Sequence, residues 1–105
     1  MAYVELEKLI NLYDGYQKVF RVNGVELLLI QEAGKTFLLK NQCPHMGKSL
    51  ANASVDPNSV QLRCPFHGLE FDLVSGENIN NRGNPCQPLT RYPIAYEGKT
   101  MGVDI

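Results

Sequence analysis

No run of Lys or Arg occurs in this chain, and 10 Lys+Arg against 11 Asp+Glu leave a formal charge of −1 over 105 residues. Without a concentrated positive field there is little to gather phosphates from a distance, so DNA or RNA is not an expected partner. Long apolar runs are missing as well: the densest, Leu27 to Ile30, is far too short to cross a bilayer. The opening Met1-Ala2-Tyr3-Val4-Glu5-Leu6-Glu7-Lys8 has neither the basic segment nor the apolar core of a secretory signal. A soluble protein with no membrane attachment is the expectation. Cysteine is sparse, odd in number and unevenly spaced at Cys43, Cys64 and Cys86. That fits a secreted disulfide framework badly and a metal site in a reducing compartment better, which points to the cytoplasm. A phosphate-cradling glycine loop, a nucleophilic triad and a paired-carboxylate acid–base site are also lacking, so a substrate site of its own is not expected.

What the chain does have is turns. Residues 1–105 are enough for one domain, and 44% hydrophobic residues supply one modest core without a large cavity. Asp14-Gly15, Asn23-Gly24, Gly34-Lys35, Asp56-Pro57-Asn58, Ser75-Gly76 and Glu97-Gly98 punctuate short apolar stretches, the pattern of an all-β domain. The clearest hairpin runs from Val19 to Val22, turns at Asn23-Gly24, and returns from Val25 to Ile30, because Asn-Gly accepts the positive φ angles of a type I′ turn. Further strands are predicted at Lys35 to Asn41, Val60 to Arg63, Leu69 to Leu73, Arg91 to Tyr96 and Thr100 to Val103. Leu6, Leu9, Ile10 and Tyr13 fall on one helical face, so residues 5–13 read equally as a short helix or as a strand followed by a turn.

Both histidines of the chain stand beside cysteines, in Cys43-Pro44-His45-Met46-Gly47 and Cys64-Pro65-Phe66-His67-Gly68. Thiolate and neutral imidazole are good ligands for iron and zinc, and paired loops can converge on one site. Proline after each cysteine stiffens the loop, and glycine after each histidine permits a tight backbone path. Packing alone gives no reason for both histidines to fall within three residues of two cysteines in matching contexts. Zinc fingers usually present two cysteines and then two histidines. The order Cys, His, Cys, His with C-x-H and C-x-x-H spacing fits instead a mixed-ligand [2Fe–2S] centre.

On these residues the sequence resembles the Rieske ferredoxins, small carriers associated with ring-hydroxylating oxygenases. The resemblance spans nearly the whole chain: Asn41-Gln42-Cys43-Pro44-His45-Met46-Gly47 with Leu50, then Cys64 to Asp72, then Ser75-Gly76-Glu77, with a C-terminal strand pair around Leu89 to Ile94 and Val103-Asp104. It implies an antiparallel β-sandwich-like base domain with a two-loop cluster-binding subdomain at approximately 41–76, the loops being Asn41 to Leu50 and Arg63 to Gly76. It also implies one [2Fe–2S] cluster, with Cys43 and Cys64 on the inner iron and His45 and His67 on the outer one. The exposed His45/His67 tip would be the contact surface for a reductase and an oxygenase, and the chain would act as a monomeric electron carrier.

A mixed site is neutral when oxidised, whereas a four-thiolate cluster starts at two negative charges, so the family range is high, roughly −150 to +300 mV. Rieske proteins of respiratory complexes add a disulfide and two sulfur-bonding hydroxyls. Alignment on the ligands puts Lys48 and Phe66 at the disulfide positions, and Leu69 and Phe71 at the hydroxyl positions. All four features are missing, which predicts a low-potential centre. Cys86 lies in a proline-containing lid at approximately 83–89 and reads as a small, partly buried residue rather than a reactive thiol, while Pro85 and Pro88 are expected to affect cluster lifetime. Lys48, Arg63 and Arg82 lie near the tip and read as solvated charges before they read as partner-selecting ones. Two other readings stay open: a Rieske-like small subunit of a larger oxidoreductase such as nitrite reductase, and a zinc-stapled interaction module.

Overall fold

A computed structural model describes residues 2–44, 49–51, 53–56, 58–64, 69–79 and 88–105. Its strands are β1 (Tyr3–Lys8), β2 (Tyr16–Val22), β3 (Val25–Glu32), β4 (Lys35–Lys40), β5 (Ser54–Asp56), β6 (Gln61–Arg63), β7 (Glu70–Asp72), β8 (Ile94–Glu97) and β9 (Thr100–Asp104). They form three antiparallel sheets, ordered β1-β9-β8, β2-β3-β4 and β5-β6-β7.

The apolar run in β3 explains how these sheets stack. Side chains alternate across a strand, and here both faces are covered. Leu27 and Leu29 enter a base core with Tyr16, Val22, Leu38, Met101 and Val103, while Leu28 and Ile30 enter a second core with Leu39, Leu50, Leu62, Phe71 and Leu73. The sheet β2-β3-β4 is thus the middle layer, with β1-β9-β8 on one side and β5-β6-β7 on the other. A strand buried on both faces reads as a continuous apolar run rather than an alternating one.

Turn chemistry sets the registers. Asn23 and Gly24 sit at φ 49° and 80°, and Val22 pairs with Val25, as expected for a two-residue type I′ turn. The next turn falls one residue earlier than the sequence suggests: Ala33 and Gly34 have φ 53° and 75°, and Glu32 pairs with Lys35. Residues 5–13 follow the strand-and-turn alternative, with β1 running into a 3-10 turn at Leu9–Asn11. That turn is tied down by Glu7, whose carboxylate accepts from Asn11 Nδ2 at 2.9 Å and from Tyr16 Oη at 2.7 Å. These bonds, Asn11 first, hold the Glu7 carboxyl at about 2, well below its ordinary value. In β9, Gly102 presses on β1 so closely that a Cβ there would lie 2.0 Å from Val4 O.

Several bounds differ from expectation. Asn41 leaves the ladder after Lys40, and Arg91 forms only an isolated bridge to Leu39, so β8 starts at Ile94. Val60 is in the turn before β6 at φ 56°, its side chain buried in the second core. The β5 strand was not anticipated, whereas β7 falls within the predicted strand Leu69 to Leu73, inside the stretch Arg63 to Gly76 that the resemblance assigns to the second cluster loop.

Candidate metal centre

The second core ends in two thiols. Cys43 follows β4 by three residues, Cys64 follows β6 directly, and both are buried, at 0% and 1% exposure, in the same packed group as Leu50, Leu62, Phe71 and Leu89. Among the described residues no disulfide joins them. Two soft sulfur donors, shielded from water at the bases of two loops, suit a metal that prefers thiolate.

The loop around Cys64 is the tip of a hairpin. Arg63 pairs with Glu70, and Cys64 N–H donates to Leu69 O at 2.8 Å. The loop starting at Asn41 is anchored on the central sheet, where Asn41 N–H donates to Glu26 O at 2.8 Å. Glu26 also faces Arg21 at 2.8 Å and Asn41 Nδ2 at 3.2 Å, and these two contacts, Arg21 first, hold its carboxyl below the ordinary range.

A third segment closes over the same core from the side of β4. Lys40 N–H donates to Thr90 O and Tyr92 N–H to Leu38 O, both at 2.8 Å. Leu89 is buried, and its N–H reaches Gly76 O at 2.8 Å, while Arg91 Nη1 donates to Val74 O. Gly76 has φ 82°, and a Cβ there would meet Leu89 O at 3.1 Å, so glycine lets this strap approach the hairpin. Pro88, expected in the lid, is exposed at the start of the strap.

Of the residues named from sequence, Cys43 and Cys64 are both buried in the second core. Phe71 is fully buried and Leu69 packs partly buried against the same core, so neither position offers a hydroxyl. Arg63 is exposed. His45, His67, Lys48, Phe66, Arg82, Pro85 and Cys86 lie outside the described residues, among which no group of three or more His, Cys, Asp or Glu assembles. Sequence reading missed the parts played by Glu26 and Arg91. Neither carries a motif, and only their hydrogen bonds across the fold reveal them.

Three antiparallel sheets with two buried thiols at the bases of two loops define a small β domain whose second core offers soft donors. The model of the Rieske [2Fe-2S] domain matches residues 3–93. The ferredoxin component of the alkene monooxygenase system of Xanthobacter autotrophicus is 32% identical over 98 residues, covering 93% of this chain and 77% of that one. In fold, the ferredoxin of carbazole 1,9a-dioxygenase from Nocardioides aromaticivorans superimposes at TM-score 0.82 and 24% identity, over 98% of this chain and 97% of that one. A chain in the complex of reduced oxygenase and oxidized ferredoxin of carbazole 1,9a-dioxygenase gives TM-score 0.80 at 19% identity, over 96% of this chain and 100% of its own. The chain belongs to the Rieske [2Fe-2S] domain family. Its cofactor is accordingly one Rieske-type [2Fe–2S] cluster, and the two buried thiols fit that group.

Proposed function

We propose that this protein is a soluble, cytoplasmic, monomeric ferredoxin that accepts one electron from a reductase and passes it to a terminal oxygenase, docking both at a tip formed by His45 and His67. The observation that supports this reading is the burial of Cys43 and Cys64 in one core at the bases of two loops, in a chain whose relatives include oxygenase ferredoxin components. Cys43 and Cys64 would hold the inner iron, and His45 and His67 the outer one. The region 41–76 then serves as the cluster-binding part of a single domain, with 83–89 as its lid. When bound, the cluster supplies a one-electron site that is neutral when oxidised and singly negative when reduced.

The chain's own residues do the rest. Leu50, Leu62, Phe71, Leu73 and Leu89 keep water from the sulfurs, which protects them from hydrolysis and oxidation. The Asn41 N–H bond to Glu26 O and the Cys64 N–H bond to Leu69 O anchor the bases of the two loops. With Leu69 and Phe71 offering no hydroxyl, the midpoint potential belongs near the bottom of the family range of roughly −150 to +300 mV. Among the described residues no helix is long and apolar enough to cross a membrane. Family membership removes the ground for a zinc-stapled module, and relatives that are themselves ferredoxin components favour a separate carrier over an enzyme subunit.

Visible and EPR spectra of anaerobically purified protein, followed by EPR-monitored redox titration, test the proposal. A brown protein with two irons and two sulfides, the low average g value of mixed nitrogen and sulfur ligation, and a midpoint in the lower half of the range is the expected result. Colourless protein, or a four-thiolate signal, would overturn it.

A further inference from the structure

The two loops are closed by different means. Cys64 and Leu69, the ends of the second loop, are held together by the β6–β7 ladder beside them. Among the described residues, the ends of loop 41–50 have no such ladder, because β4 ends at Lys40 and no described strand pairs with Leu50. One side chain takes over. Asn41 Oδ1 accepts the Leu50 N–H at 2.9 Å, and Asn41 Nδ2 donates to Ser49 Oγ at 3.0 Å and to Glu26 Oε1 at 3.2 Å.

Asn41 is the only buried polar residue among those described, at 7% exposure. Burying an amide is costly unless both of its ends are satisfied, and both are. Its orientation is fixed by what surrounds it. Turning the amide over would set Nδ2 against the Leu50 N–H and Oδ1 against the Glu26 carboxylate, pairing donor with donor and acceptor with acceptor.

We propose that Asn41 is the positioning residue of the first cluster loop: its amide clasps the two ends of loop 41–50 together and pins them to β3 through Glu26. This rests on the reading of that loop as the one that presents Cys43 and His45 to the cluster. A metal site tolerates little displacement of its donors, about 0.2 Å in ligand distance. Cys43, two residues beyond the clasp, takes its place from it. The clasp needs an amide in particular. Aspartate would still accept from Leu50 but would set a second carboxylate against Glu26. Exchanging the roles of the pair, Asn41→Asp with Glu26→Gln, keeps both bonds, since the glutamine amide can donate to the new carboxylate and its oxygen can still accept from Arg21.

The test follows the first-order loss of visible absorbance under an iron chelator, together with hydrogen exchange of the peptide carrying Leu50 in the protein as purified. Asn41→Ala and Asn41→Asp are expected to lose the cluster at least about tenfold faster than wild type. Exchange at Leu50 should accelerate in Asn41→Ala. The Asn41→Asp/Glu26→Gln double variant should return cluster loss to near the wild-type rate, a rescue that a general loss of stability would not give. Wild-type rates in both single variants, or a double variant as labile as Asn41→Asp, would overturn the clasp. If Asn41→Ala does not fold, the aspartate variant and its rescue decide. Wild-type protein lacking iron and sulfide would instead overturn the function reading, and the Leu50 exchange comparison would still judge the clasp.

Discussion

Phe71 and Cys64 show how much of the chemistry is set one residue at a time. Cys64 must be enclosed to keep its sulfur dry, and Phe71, with no exposed surface, helps to enclose it. A phenyl ring does this without offering a hydrogen bond, so nothing at position 71 stabilises added negative charge. Phe71→Tyr adds a single hydroxyl to that packed core. Directed at a cluster sulfur, it would bind the reduced state more strongly than the oxidised one. Each additional 1 kcal/mol or so of preference raises a one-electron midpoint by about 40 mV, so a rise of that order is expected in a redox titration. No rise, together with a loss of stability, would mean that the ring edge faces away from the sulfurs and that the hydroxyl is simply buried without a partner. Val60 shows a different compromise. A β-branched residue at φ 56° is unfavourable, yet the position directs its side chain into the second core and lets its carbonyl accept from Leu73 N–H at 3.1 Å.

Among the elements, β3 belongs to both cores, and adjacent residues on it serve different purposes. Leu28 faces the thiol-bearing core and Leu29 the base core, each essentially fully buried. Truncating either to alanine is expected to cost about 2–5 kcal/mol in denaturant unfolding. Only Leu28→Ala should also accelerate cluster loss; equal acceleration by Leu29→Ala would show that the cores do not act separately. This division was partly legible in the sequence. The unbroken Leu27 to Ile30 run marks a doubly covered strand, and Asn23-Gly24 sets the hairpin register. Of the matched Cys/His pairs, Cys43 and Cys64 are found in one buried core, and His45 and His67 lie outside the described residues. The three-residue strands were harder to see. β5 contains one apolar residue, Val55, and exists because its backbone pairs with β6. The helical spacing of Leu6, Leu9, Ile10 and Tyr13 is coincidental, because Ile10 is 88% exposed while Leu6 packs on the base core. Asn41 could be recognised as part of a motif, but its bond to Leu50 spans a loop whose path no spacing rule reveals.

Across the whole molecule, the three layers are unequally self-sufficient. The base sheets have strands of four to eight residues and meet in a core that contains no cysteine. The sheet β5-β6-β7 has only three residues per strand, and its core includes both thiols. Binding free energy at a metal site contributes to folding free energy, and here that contribution falls on the layer with the fewest ladder bonds. If Cys43 and Cys64 hold the cluster as proposed, its removal would cut the link between loop 41–50 and the β6–β7 hairpin, leaving the outer sheet dependent on its apolar contacts with the middle layer. Local opening follows such weakly supported units rather than the molecule as a whole. Native-state hydrogen exchange before and after chelation should therefore show amides of 54–56, 61–63 and 70–72 exchanging at least about tenfold faster in the apoprotein. Leu29, Leu38, Met101 and Val103 should keep most of their protection. Uniform loss of protection in every strand would mean that the middle sheet couples its two faces into one cooperative unit, and that the metal centre stabilises the base as strongly as it does the loops.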